Sequence, residues 1–140
     1  MHKLTQLGVA FTLCLSSLSL HASGTNIEQI VDKQLTAYNN QDIDAFLATY
    51  HDDVEIYEFP ATLTISGKQA LKESYGKMFA MLKCLNAKTL NRIVEGRFVT
   101  DHEKMTACQV SKDKVDVNMQ VTATYEVVDG LIKRVIFFGQ

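Results

Sequence analysis

Tryptophan is absent from this 140-residue chain, and Pro60 is its only proline. No low-complexity tract and no internal repeat interrupts it. With 46% hydrophobic and 21% charged residues, the composition is that of an ordinary folded protein, not a disordered one. The chain is long enough for one core and too short for two. It has no glycine-rich phosphate loop, no G-x-S-x-G elbow and no C-x-x-C pair, so nucleotide-binding, serine-hydrolase and thioredoxin-like readings have no support. The 14 basic and 16 acidic residues are scattered, without the clustered positive stripe that nucleic acid demands. A metal site lacks ligands as well. His51, Asp52 and Asp53 are consecutive and do not converge on one ion, and His102 is the only other histidine beyond residue 22. No metal and no cofactor is expected.

The first residues have the layout of a secretory signal. His2 and Lys3 precede an apolar run from Leu7 to Leu20, too short to span a bilayer, and His21-Ala22-Ser23 follow. Residues 1–22 are therefore expected to be a signal peptide cleaved after Ala22, with residues 23–140 forming a single domain. The protein is expected to be exported, periplasmic in a Gram-negative source, with no membrane attachment after cleavage. Cys84 and Cys108 then remain, either as a disulfide or as two buried thiols; spacing does not decide between them.

Periodicity orders the elements. "TNIE" reads as a capping box opening a first helix, with Ile27, Ile30, Val31, Leu35 and Tyr38 on its stripe. Asp42 caps a second helix carrying Ile43, Phe46, Leu47 and Tyr50. A strand follows with Val54, Ile56 and Glu58 on one phase, and Pro60 ends it. Ser66 and Gln69 form a second capping box before a third helix with Leu71, Tyr75, Met78 and Leu82. Strands make up the rest. "TLNRIVEGRFV" is the first, "TDHE" is read as a turn, and "EKMTACQVS" is the second. A third, "VDVNMQVTATYEVV", alternates from Val115 to Val127 and turns at Asp129-Gly130 into "LIKRVIFFG". Helices first and antiparallel strands afterwards give an α+β class, with three N-terminal helices on one face of a curved sheet.

The segments "NNQDIDAFLATYHDDVEIY", "SGKQAL", "NRIVEGRFVTDHEKMT" and "YEVVDGLIKRV" together resemble the nuclear transport factor 2-like superfamily, in particular its SnoaL-like and steroid delta-isomerase-like bacterial members. The resemblance spans residues 26 to 138. It implies a cone-shaped, cystatin-like fold, a strongly curved and mainly antiparallel sheet enclosing one apolar pocket, and pairing into a homodimer through the outer sheet face. It implies no single activity, because that fold hosts isomerases, cyclases, hydrolases and binding modules. In ketosteroid isomerases an acid on the first strand moves a proton beside a carbonyl, while a tyrosine on the first helix and an acid on a later strand hold the oxygen. By register these positions fall here on Glu58, Gln34 and Met119, with Tyr38 one turn beyond Gln34. One of the three matches.

The candidate site follows. Glu58 is the candidate base, since burial in a pocket would raise its pKa. His102 and Glu103 are strand neighbours, so at most one enters the pocket; His102 is taken as the proton shuttle. Asn91 and Arg92 divide likewise, and Asn91 is taken as the ligand contact. Tyr38 and Tyr125 lie on apolar stripes with hydroxyls able to reach a ligand. The expected partner is a small, largely apolar or carbonyl-containing molecule, handled by isomerase- or cyclase-type proton transfer. The alternative is a non-catalytic binding or dimerisation module of the same fold.

Overall fold

The computed structural model describes residues 27–139. The expected signal peptide and the Thr25 cap lie outside the described residues. Three helices, α1 (Ile27–Asn39), α2 (Ile43–Leu47) and α3 (Lys68–Met81), pack on one face of six strands. The strands are β1 (Tyr50–Glu58), β2 (Thr62–Ser66), β3 (Cys84–Glu95), β4 (Phe98–Cys108), β5 (Val117–Val128) and β6 (Leu131–Phe138). They form one curved sheet in the order β2-β1-β6-β5-β4-β3. Every pairing is antiparallel except that of β1 with β6, so the sheet is mixed. The α+β class and the helix-covered sheet are as the sequence predicts.

Local chemistry explains most boundaries. Asp42 caps α2, its Oδ1 accepting from the Ala45 amide at 3.0 Å. Asp129 and Gly130 both take positive φ, 49° and 77°, which is what a tight hairpin between β5 and β6 requires. The inner face of β5 carries Val117 through Val127 in the predicted alternation.

Three local expectations are corrected. Ser66 does not cap α3; it ends β2, and Gly67, with φ of 83°, occupies the cap position without a side-chain hydrogen bond. No strand was expected between Pro60 and the third helix, but β2 folds back on β1, with Ile65 facing the core opposite Ile56 and Leu63 facing out. "TDHE" is not a turn. Residues 100–103 lie in the middle of β4, and the chain reverses instead at Gly96, with φ of 58°. A polar run resembles a turn in sequence, yet Val99, Asp101, Glu103, Met105 and Ala107 keep strict inward phase.

One irregularity sets which side chains reach the interior. The β3–β4 register shifts between Thr89 and Asn91, so Thr89 pairs with Glu103 while Arg92 pairs with Asp101. This bulge at Leu90 returns Arg92 to the inner phase and leaves Asn91 on the outer one. The core beneath the helices is aromatic: the Phe46 ring lies 4.7 Å from that of Tyr75 and 5.0 Å from that of Tyr50.

Cys84 and Cys108 are joined in a disulfide that ties the first residue of β3 to the last of β4. The link closes a loop whose ends are 24 residues apart. Replacing both cysteines (C84S/C108S) is expected to lower the unfolding free energy by about 3 kcal/mol, mainly by freeing the unfolded chain. Urea unfolding of the double variant beside the wild type measures this. An unchanged midpoint would mean that the β3–β4 pairing holds without the link.

Candidate functional site

A cavity of about 390 Å³ opens between α1, α3 and the inner face of the sheet. Helix α1 contributes Gln34 and Tyr38, four residues apart and therefore on one face. Helix α3 contributes Tyr75 and Met78, and the sheet adds Glu103, Met119, Tyr125 and Phe137 among others.

The chemical centre is Glu103. Its side chain is 5% exposed, and the Tyr125 hydroxyl donates to Oε1 at 3.0 Å, the one hydrogen bond it has among the described residues. Burial pushes its pKa up from the ordinary carboxylate range to about 7. The Tyr125 hydroxyl opposes the rise by favouring the ionised form; Asp101 adds to it and Arg92 subtracts. Near neutral pH this carboxyl is therefore divided between acid and carboxylate. The surrounding phenols remain protonated. Burial raises Tyr38 to about 12 and holds Tyr50, Tyr75 and Tyr125 above the ordinary phenol range, with the Glu103 charge contributing in each case.

Asp101, on the same inner phase of β4, is handled differently. It is fully buried, and Arg92 grips both its oxygens, Nε to Oδ1 and Nη2 to Oδ2, each at 2.7 Å. The free end of the same guanidinium donates to Asp32 of α1 at 2.8 Å. Arg92 does enter the interior, but its charge is used to pin α1 against β3 and β4.

Gln34 is 5% exposed, its amide lies against the Tyr50 hydroxyl, and its Oε1, closed off from the cavity, accepts no hydrogen bond. The Tyr38 hydroxyl, also on the wall, donates to no acceptor among the described residues.

The five sequence-derived candidates separate. Tyr38 and Tyr125 line the cavity. Glu58 lines it too, but at its exposed rim rather than buried, and its carboxylate makes no ion pair or hydrogen bond among the described residues. His102 and Asn91 do not belong to the cavity. They pair across β4 and β3 on the opposite face of the sheet, where His102 Nε2 lies 2.8 Å from Gln120 Oε1 and Asn91 is exposed. The alternation that brings Glu103 in necessarily turns His102 out. Met119, where the isomerase resemblance puts a second acid, faces the cavity as a thioether. Glu103 itself is what sequence reasoning passed over; its shared phase with Val99 and Ala107 was the available signal.

Comparison with known proteins adds the lineage. The family model of SnoaL-like domains matches residues 31–135. No curated protein matches the sequence significantly. The fold is similar to that of an uncharacterized cystatin-fold protein from Novosphingobium aromaticivorans, at 20% identity and a TM-score of 0.71, covering 79% of this chain and 96% of that one. It is also similar to an LEH-like epoxide hydrolase of M. tuberculosis, at 20% identity and a TM-score of 0.68, with 80% of each chain covered. A Shewanella denitrificans protein named as a SnoaL-like polyketide cyclase matches at 10% identity and a TM-score of 0.67, over 80% of this chain and 88% of that one. At these identities the likeness concerns the fold.

The raised Glu103 pKa makes a stability prediction whose sign is fixed. Below about 4.5 the carboxyl is protonated both folded and unfolded; between there and about 7 the folded state holds the proton that the unfolded chain releases. The protein therefore loses stability as pH rises through that window, by about 3 kcal/mol in total. An E103Q variant, neutral throughout, is expected to gain on the wild type from pH 5 to pH 8 in parallel denaturant titrations. A difference that stays constant with pH would mean that Glu103 titrates normally.

Proposed function

The chain belongs to the SnoaL-like family of the nuclear transport factor 2-like superfamily, and from that premise we propose that it is an exported protein whose cavity binds a small, largely apolar, carbonyl-containing molecule and moves a proton on it. The observation that carries this reading is the buried Glu103, protonated by halves near neutrality and steadied by the Tyr125 hydroxyl inside a cavity of ligand size.

The roles follow from the geometry. As carboxylate, Glu103 takes a proton from carbon next to the ligand carbonyl; as acid, it returns that proton to another carbon or to oxygen. Tyr125 holds the Glu103 oxygen in place. Tyr38, whose hydroxyl is uncommitted and remains protonated, supplies the hydrogen bond to the carbonyl oxygen as negative charge gathers there. Proton transfer of this kind serves isomerase and cyclase chemistry alike. Glu58, which the sequence offers as the base, stands at the rim and takes no part in the proton step.

Export is supported by the layout of residues 1–22 and by the Cys84–Cys108 disulfide, a bond that persists in oxidising compartments such as the periplasm. Pairing into a homodimer through the outer sheet face is supported by the apolar side chains left there, Ile93 at 69% exposure and Phe138 among them.

Carbon-acid exchange tests the proton step without the natural substrate. The ketone 2-tetralone is incubated with protein in D2O, and loss of its α-proton signals is followed by NMR. Wild type is expected to exchange them faster than buffer, with a rate that rises as pH passes through about 7 because the carboxylate is the base. E103Q is expected to lose about 10²-fold or more of the catalysed rate, while H102A, altered on the far face, keeps it. Undiminished exchange by E103Q would remove Glu103 from the role. Saturable binding of the ketone with no exchange would decide for the non-catalytic binding module.

A further inference from the structure

The charged residues of the cavity wall are two acids, Glu103 in the interior and Glu58 at the rim, and among the described residues no lysine, arginine or histidine lines it. The Glu58 carboxylate has no partner among the described residues, and Glu103 has a single hydroxyl. The Gln34 amide on the same wall lies against the Tyr50 hydroxyl, with its Oε1 closed off from the open space. What the two acids lack is a cation.

The nearest guanidinium does not supply it. Arg92 is engaged by both oxygens of Asp101 and by Asp32, with Glu28 at 3.7 Å, and its charge is cancelled behind the wall. The remaining surface combines rings and thioethers with aliphatic side chains and the Ser74 and Thr64 hydroxyls. Tyr38, Tyr75 and Phe137 contribute aromatic π-systems, which attract cations, and Met78, Met105 and Met119 contribute soft, adaptable contact area.

We propose that the ligand of this cavity carries an amine, protonated and cationic at neutral pH, on a largely apolar body. This rests on the reading of the cavity as the ligand site, and it adds an amino group to the carbonyl already assigned there. An ammonium donates up to three hydrogen bonds and accepts none, which complements a wall whose charged groups are both acids. A carboxylate or phosphate in the same space would face those two acids and meet no free cation among the described residues. A plain alcohol would leave the acids without a counter-charge.

Three probes with one skeleton separate these cases: 3-phenylpropylamine, 3-phenylpropan-1-ol and 3-phenylpropanoate. Each is titrated into protein labelled at the methionine methyl groups and followed by NMR. Met78, Met105 and Met119 line the cavity, whereas Met81 is exposed outside it and reports non-specific contact. The amine is expected to shift the three lining methyls and to bind about tenfold or more tightly than the alcohol, with the carboxylate giving no shift. E58Q and E103Q, both close in shape to the native side chain, are each expected to reduce the amine's advantage over the alcohol. An alcohol that binds as tightly as the amine overturns the proposal and leaves the cavity standing as a ligand site. A carboxylate that binds more tightly than the amine also overturns it. If no probe moves the lining methyls, both the proposal and the ligand reading beneath it fail.

Discussion

Two carboxylates on the inner face of one strand must both be kept out of water, and only one of them has a cation. Asp101 and Glu103 are two residues apart on β4, so they share its inner phase. Burying an ionised carboxylate is costly unless it is paired. Asp101 is paired by the fork of Arg92 and serves structure. Glu103 receives one phenol and is left to titrate.

Much of the site depends on how the first acid is satisfied. The guanidinium that neutralises Asp101 also reaches Asp32, and through it fixes α1 over the sheet. That placement sets Gln34 and Tyr38, the two α1 residues with uncommitted polar atoms, against the cavity that Glu103 faces. The bulge at Leu90 is equally necessary, since without the shift in register Arg92 would point outward, Asn91 would take the inner phase, and Asp101 would be left unpaired. The same feature that builds the core therefore uses up the interior's positive charge and gives the cavity its acidic character.

The fold was largely legible where a periodic pattern carried it. The alternation along Val117–Val127, the Asp42 cap and the Asp129-Gly130 turn all did what their chemistry requires. Legibility failed where polarity imitated a turn. Thr100 to Glu103 is a charged run, and only its continuity with Val99 and Ala107 marks it as the middle of a strand. That misreading had a cost at the site, because His102 was preferred to its neighbour on the ground that histidine titrates near neutrality. Burial gave Glu103 that same property. Asn91 failed for a different reason: a bulge reverses facing without leaving a mark in local composition. Spacing alone could not pair Cys84 with Cys108, since their proximity comes from a hairpin whose turn had been put in the wrong place.

The central claim is that Glu103 holds a proton near neutral pH inside the cavity. The direct measurement is a carbon-detected NMR titration of the glutamate side-chain carboxyls, with the Glu103 resonance assigned by its absence in E103Q. The account predicts a midpoint at about 7 for that resonance. A midpoint near the ordinary value of about 4.3 would contradict it, and with it the proton chemistry assigned to the site.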